Sequence, residues 1–423
     1  MGALTLTPHL ATWIIAGLAT FGVIVRPFAW PEAIWAVLGA AALVLFGLLP
    51  LASAWTGIAK GTDVYLFLIG MMLLAEIARK EGLFDWLAAL AVRFAKGSAT
   101  RLFALVYAVG TVVTVFLSND ACAVVLTPAV YAAARAAKAE PLPYLFICAF
   151  IANAASFVLP ISNPANLVVY AAHMPPLGAW LARFALPSLL SIAVTYAVLR
   201  LTQAGALREM RIESTVETKP LSTTGKVAAA GIFATALALM AASAADLDLG
   251  LPTFVAGLAT ALVVLAIRRG GLVDTMRDIS WSVLPLVAGL FVLVEALGAT
   301  GVLARLADLL RAAATAHPDA TAWGAGGLVA VLCNLVNNLP AGLVAGAAVQ
   351  AADVPERVAA AILIGVDLGP NLSVTGSLAT ILWLTAIRRE GESVGAWRFL
   401  KLGLLVMPPA LAAALAGLLL VTP

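Results

Sequence analysis

Eight stretches of the chain, residues 9–25, 33–51, 64–77, 178–199, 228–245, 252–267, 283–297 and 402–421, are almost unbroken in their apolar character. Runs approaching about 20 residues suit helices that cross a hydrocarbon core of roughly 30 Å. Strands of a membrane barrel would instead alternate over segments of about 10 residues, and these runs do not alternate. Charged residues make up only 11% of the 423, against roughly 25% in soluble domains, and the mean hydropathy is +1.03. The fold class is all-α and polytopic.

The same composition excludes other classes. Cys122, Cys148 and Cys333 all lie in apolar segments, so neither a disulfide framework nor a Cys-x-x-Cys metal motif is available. The chain has no Gly-rich phosphate loop, and its net charge of +3 is a matter of topology rather than of nucleic-acid binding. No cofactor is expected, and a transporter is expected rather than an enzyme. Up to Leu10 there is neither Lys nor Arg, so the first helix is expected to be retained rather than cleaved.

A polar triplet, Ser118-Asn119-Asp120, interrupts the apolar stretch 102–134, and Asn337-Asn338 occupies the corresponding place later in the chain. A shift of 219 carries Ser118 onto Asn337 and Asn119 onto Asn338, and also Gly70 onto Gly289, Glu76 onto Glu295 and Gly82 onto Gly301. Leu339 then stands where Asp120 stands. Duplicated membrane halves sharing an interrupted polar site are the plan of secondary transporters.

We therefore expect two inverted-topology repeats, each of five transmembrane helices plus one re-entrant hairpin, with broken helices at the bilayer midplane. Repeat 1 covers 1–202, with its hairpin at about 102–134 and its broken helix at about 142–172. A cytoplasmic linker spans 203–226. Repeat 2 covers 227–423, with its hairpin at about 322–351 and its broken helix at about 357–386. With both termini outside, 20 of the 25 Lys and Arg fall on one face and only Lys60, Arg183, Arg305, Arg311 and Arg357 on the other. Such a bias marks the richer face as cytoplasmic. Residues 83–96 read as an interfacial helix, with Leu83, Leu87, Leu90 and Phe94 on its apolar face, and 302–313 as its counterpart. His173 and His317 fall in outer loops, and Glu76 and Glu295 are expected to snorkel toward the headgroups.

Each hairpin is followed by a hydrophobic segment that a helix cannot cross unbroken. The first contains Pro160-Ile161-Ser162-Asn163-Pro164-Ala165-Asn166 and the second Asp367-Leu368-Gly369-Pro370-Asn371 through Ser373, Thr375 and Ser377. Proline removes a backbone donor and disfavours helix before it. Irregular backbone at membrane depth is tolerated only when it is buried in protein or lines a cavity, so the four breaks are expected to converge. The substrate-binding candidates are Ser118, Asn119, Ser162, Asn163, Asn166, Asn337, Asn338, Asn371, Ser373, Thr375 and Ser377. The alternative for Asn119 and Asn338 is a capping role in the hairpin halves. Asp120 and Asp367 are the proton-coupling candidates, because an ionised carboxylate is expensive in a membrane; the alternative is a carboxylate that accepts donors at a helix start. No Arg or Lys lies in any break, which favours a neutral polyhydroxy solute or a cation over a di- or tricarboxylate. Cys122 and Cys333 lie near the hairpin motifs, but they read as small buried fillers rather than metal ligands.

Ser118-Asn119-Asp120 with Leu126-Thr127-Pro128, Ser162-Asn163, Asn337-Asn338-Leu339-Pro340, and the run from Asp367-Leu368-Gly369-Pro370-Asn371 through Gly376-Ser377-Leu378-Ala379-Thr380-Ile381-Leu382-Trp383-Leu384 resemble the ArsB arsenite efflux permeases of the ion transporter superfamily. The resemblance spans nearly the whole chain, and Pro164 departs from it. It implies export of arsenite and antimonite as neutral hydroxides across a bacterial inner membrane in exchange for protons, by alternating access, sometimes beside a soluble ATPase subunit. Two alternatives stay open at this point. One is a sodium/proton antiporter or sodium-coupled organic anion transporter of the same superfamily; the other is the membrane subunit of an ATP-driven metalloid pump.

Overall fold

The computed structural model describes residues 7–170, 174–213 and 220–422, so His173 and part of the linker lie outside the described residues. Among the described residues the chain is helical without strands, and a single isolated bridge joins Ser98 to Arg211. The first half runs α1 (Pro8–Val25), α2 (Glu32–Leu45), α3 (Leu51–Lys60), α4 (Thr62–Lys80), α5 (Leu83–Ala95), α6 (Ala99–Phe116), α7 (Thr127–Ala136), α8 (Leu142–Ala154), α9 (Pro164–Tyr170) and α10 (Leu177–Thr202). After α11 (Ala204–Glu209) in the linker, a second series follows: α12 (Thr223–Ala244), α13 (Gly250–Arg268), α14 (Leu272–Asp278), α15 (Val283–Ala299), α16 (Val302–Ala316), α17 (Pro318–Val336), α18 (Asn338–Ala352), α19 (Glu356–Leu368), α20 (Leu378–Arg389) and α21 (Ala396–Val421).

Seven of the described helices, and α14 with α15 taken together as an eighth, are long and apolar enough to cross a membrane, and α3 and α4 add a ninth span if taken together across their 47° bend. The segment 33–51, expected as one run, is divided. Helix α2 stops at Leu45, Gly47 adopts a positive φ of 68°, and Pro50 opens α3. Helices α6 and α17, which lead into the two polar interruptions, are 18 and 19 residues long.

The matched glycines have two physical roles. Gly82 and Gly301 hold φ of 72° and 79° at the corners where α4 turns into α5 and α15 into α16. An L side chain resists that region. Gly70 and Gly289 lie at helix crossings instead. A Cβ on Gly70 would overlap the Thr253 carbonyl of α13, and one on Gly289 would come within 2.7 Å of the Ala36 carbonyl carbon of α2. Water drives no association inside lipid, so close backbone approach between small residues supplies the cohesion.

Burial runs inward to the broken helices. Every residue of α8 and α9 is buried, as is 358–368 of α19, whereas outer helices expose Leu18, Phe21, Leu189 and Phe233. In α5, Leu83, Phe84, Ala88, Ala91, Val92 and Ala95 are buried, Leu87 and Leu90 half-buried, and Phe94 exposed. Small and large residues alike fill its contact with α6 and α7. Helix α16 is barer still, burying only Ala307 and Ala314.

Candidate functional site

The first polar interruption opens a wide turn. Ser118 Oγ accepts the Ala121 N–H at 3.3 Å, and Asn119 Oδ1 accepts the Asp120 N–H at 2.9 Å. A π-helical turn, Ala121–Leu126, then leads into α7. Pro128 supplies no N–H there, while the Thr127 hydroxyl donates to the Ala123 carbonyl at 2.7 Å. Ser118 and Asn119 are buried and Asp120 is half-buried.

The second interruption is built differently. Asn337 separates α17 from α18 with φ 69° and ψ 153°, a conformation that L residues seldom adopt. Its Nδ2 donates to the Thr375 carbonyl at 3.3 Å, its Oδ1 accepts the Leu339 N–H at 3.4 Å, and the Asn338 N–H donates to the Gly376 carbonyl at 2.8 Å. One helical turn earlier, Asn334 donates to the carbonyls of Ala330 and Gly369 and accepts the Ser373 hydroxyl at 2.8 Å. Thr375 Oγ1 donates to the Asn334 carbonyl at 3.0 Å. These bonds tie the second tip to the second broken helix.

The two broken helices cross-bond at their breaks. Helices α8 and α19 have equal length, and a shift of 214 maps one on the other, carrying Asn153 onto Asp367 and Asn163 onto Ser377. Asn163 Nδ2 donates to Asp367 Oδ1 at 2.8 Å, while the Ser377 hydroxyl donates to Asn153 Oδ1 at 3.4 Å. The two bonds are mates under that shift. Asn153 Nδ2 also donates to Asn371 Oδ1 at 3.0 Å, and Asn371 Nδ2 to the Phe150 carbonyl at 3.0 Å. All of these side chains are buried, and Asp367 Oδ2 has no hydrogen-bond partner.

Ser162 and Asn166 serve the break itself. The Ser162 hydroxyl donates to the Val115 carbonyl at 3.0 Å, and Asn166 Nδ2 faces the carbonyls of Ser156, Leu159 and Pro160. They satisfy backbone that unwinding leaves bare.

A cavity of about 520 Å³ opens between the halves. Its walls are Phe67, Leu68, Met71, Met72, Ala75, Glu76 and Arg79 of α4, then Asp278, Ile279, Ser280 and Val283, then Leu382 and Arg389 of α20. Ser118, Asp120, Ala121, Val124, Val125, Pro128 and Pro164 complete the lining. Of the sequence-derived candidates, only Ser118 and Asp120 reach this space. Asn163, Asp367, Asn371 and Ser377 lie together at the helix crossing, and Asn337, Ser373 and Thr375 gather around Asn334.

Glu76 does not snorkel. It is 7% exposed, grips Arg79 through two bonds of 2.9 and 2.6 Å, and lines the cavity. Arg79 and Lys80 also pair with Asp278, at 3.3 and 3.0 Å. Once its charge is paired, a carboxylate can stay inside the protein. Glu295 remains 26% exposed in its side chain and pairs with Lys60 at 2.7 Å. The thiols stay apart from the cavity. Cys122 Sγ faces the Cys148 carbonyl at 3.6 Å and Cys333 Sγ the Val366 carbonyl at 3.8 Å. Among the described residues no cluster of three or more His, Cys, Asp or Glu could hold a metal ion.

Sequence reasoning missed Asn153 and Asn334 as site members. A signal existed for both, since an amide in an apolar helix is the same anomaly as the polar triplet. The 219 shift hid the relation of Asn153 to Asp367, because the connection between α7 and α8 is longer than that between α18 and α19.

Helices broken in pairs, a buried carboxylate, Asp367, at their crossing and a cavity reaching one of the interruptions are the build of a polytopic membrane transporter. Comparison with solved structures agrees on the fold. The Alcanivorax borkumensis YdaH transporter matches 98% of this chain and 100% of its own, with a TM-score of 0.58 at 16% identity. Neisseria gonorrhoeae MtrF, described among antimetabolite efflux pumps, matches 99% of this chain and 95% of its own, with a TM-score of 0.56 at 15% identity.

The model of the citrate transporter family, CitMHS, matches residues 12–366, and the chain belongs to that family. Among curated proteins, the arsenical pump membrane protein of Yersinia enterocolitica is 28% identical over 98% of this chain and 96% of its own length. One from Escherichia coli is 25% identical over 91% and 92%. Together, family and relatives support the resemblance to ArsB-type permeases.

Proposed function

We propose that the protein exports arsenite and antimonite, as neutral hydroxides, across the bacterial inner membrane in exchange for protons. Asp120 in the cavity lining carries this reading. It offers a carboxylate to a trihydroxide, whose hydroxyls both donate and accept, in a cavity where Glu76 already engages the Arg79 guanidinium. Asp120 and Asp367 are assigned the proton traffic. Substrate contacts are assigned to Ser118 and to the amides and hydroxyls of the breaks as these become exposed. A soluble ATPase partner is an optional addition, since proton entry suffices as the driving force.

The two series of helices are read as inverted repeats, with both termini periplasmic. Among the described residues, every ion pair joins groups that this topology puts on one face. Lys60–Glu295, Arg183–Glu356 and Arg357–Asp319 fall outside, while Arg79–Asp278, Arg268–Glu81 and Lys138–Glu213 fall inside. Reporter fusions at both ends test it; cytoplasmic termini would reverse the arrangement.

The family description supports a second reading, an organic anion such as citrate, for which Arg389 at the cavity mouth is the available cation. Everted vesicles separate the two. Arsenite accumulation that follows an imposed pH gradient and collapses with a protonophore supports export. Citrate uptake without arsenite uptake would replace it.

A further inference from the structure

We infer that Glu76 sets the charge selectivity of the open cavity: it fills the guanidinium fork of Arg79 and thereby keeps carboxylates and oxyanions out. This deepens the export reading and rests on it for the neutral cargo, whereas the filled fork stands without it.

Arg79 lines the cavity and its side chain is 45% exposed, so a solute in the cavity can reach it. Its Nε and Nη2 are the paired donors with which arginine takes a carboxylate or a phosphate bidentately. Both are engaged by Glu76, Nε by Oε2 at 2.9 Å and Nη2 by Oε1 at 2.6 Å. Glu76 therefore stands where the two oxygens of a bound anion would stand. It lies three residues before Arg79 on α4, so the two side chains share a face and meet without any loop being ordered. A free anion must displace a tethered one.

The neighbouring charges balance around that contact. Lys80 lies 3.7 Å from Glu76 and 3.0 Å from Asp278, and Asp278 lies 3.3 Å from Arg79. Two acids and two bases form one cluster, with Glu76 at its buried end and Asp278 at its exposed end. Around the whole cavity the ionisable lining is Glu76, Asp120 and Asp278 against Arg79 and Arg389. Protonation of Asp120 leaves that lining neutral, which suits an uncharged hydroxide; without Glu76 it would carry a positive charge. A cleft with low-dielectric walls focuses the field of an uncompensated charge. Anions are turned away here by an added carboxylate, a device directed against the wrong solute.

The matched half carries no such cluster. The shift of 219 takes Glu76 onto Glu295 but Arg79 and Lys80 onto Gly298 and Ala299. The glutamate that lines the cavity is the one with cations on its own helical turn.

Citrate binding to the purified full chain in lipid nanodiscs, read by calorimetry, tests this, with inorganic phosphate as a second probe. Glu76→Gln is expected to bind citrate about tenfold more tightly than the parent. That is the size of a charge-assisted hydrogen bond, discounted for the exposure of Arg79 and for Asp278 beside it. Combining Glu76→Gln with Arg79→Gln should return the affinity to the parent's. Asp278→Asn, at the exposed end, should gain about two- to threefold. Equal citrate and phosphate binding by the parent and Glu76→Gln overturns the assignment. So does a gain that survives in the double variant, which would place the anion on Arg389. If Glu76→Gln does not fold, Asp278→Asn decides, and no gain there overturns it. Arsenite transport is read separately in everted vesicles. A citrate gain in Glu76→Gln with no arsenite transport by the parent retains the role of Glu76 and rejects the cargo; arsenite transport with no citrate gain does the reverse.

Discussion

The two hairpin tips start from matched sequence and end in different states. Ser118-Asn119-Asp120 bonds mainly to its own turn and turns a carboxylate toward the cavity, whereas Asn337-Asn338 is fastened to residues 373–376 of the second broken helix. A duplicated unit can therefore divide its labour. One tip keeps an ionisable group and few restraints; the other gives up the carboxylate and gains hydrogen bonds.

Four experiments probe that contrast. The largest effect is expected at Asp120. Asp120→Asn should lower pH-driven arsenite accumulation in everted vesicles by about a hundredfold or more while protein levels hold. Adding Leu339→Asp should not restore it, because the second tip does not face the open cavity; recovery would make the tips interchangeable. Next comes Asn337→Val, which combines a β-branched residue with positive φ and the loss of the bond to Thr375. We expect a cost of about 1–3 kcal/mol, read as a lower melting temperature in detergent, with Asn337→Gly losing less. Equal loss for Val and Gly would show that the backbone there is unstrained. Asn334→Ala should cost about 0.6–1.7 kcal/mol by releasing Ser373 and the Gly369 carbonyl; no change in melting would deny that the second tip is fastened. Smallest is Cys122→Ser with Cys333→Ser. Resistance to arsenite should stay within about twofold of the parent, as fits buried fillers, and loss of resistance would give the thiols a part in binding.

Much of this plan was legible in the residues themselves. Apolar runs foretold the helices, and the prolines and glycines of 160–166 and 369–377 marked where two of them break; of the polar groups there, Ser162, Asn163, Asn166, Asn371 and Ser377 are buried and Ser373 and Thr375 half-buried. What stayed hidden was the direction in which each polar group points. Asn166 turns toward carbonyls freed by unwinding and Asn371 toward Asn153 and the Phe150 carbonyl of the other broken helix, and such partners exist only once the chain has folded. Glu76 was misread for the same reason. Its neighbours in sequence suggested a headgroup contact, but Asp278 of the other half joins its cluster and the helices around it close it in.

The crossings at Gly70 and Gly289 bear on how the protein can be handled outside its membrane. Backbones that touch without intervening side chains are held by dispersion at contact distance, a cohesion that does not require water to be excluded. The α4–α13 and α2–α15 pairs should therefore survive transfer into detergent micelles. Helix α16, with Leu306 and Leu309 exposed and only two alanines buried, has far less protein against it and depends on its surrounding solvent. Purification in short-chain detergents should loosen that arm first, and lipid retained around it should be what keeps an extracted sample active.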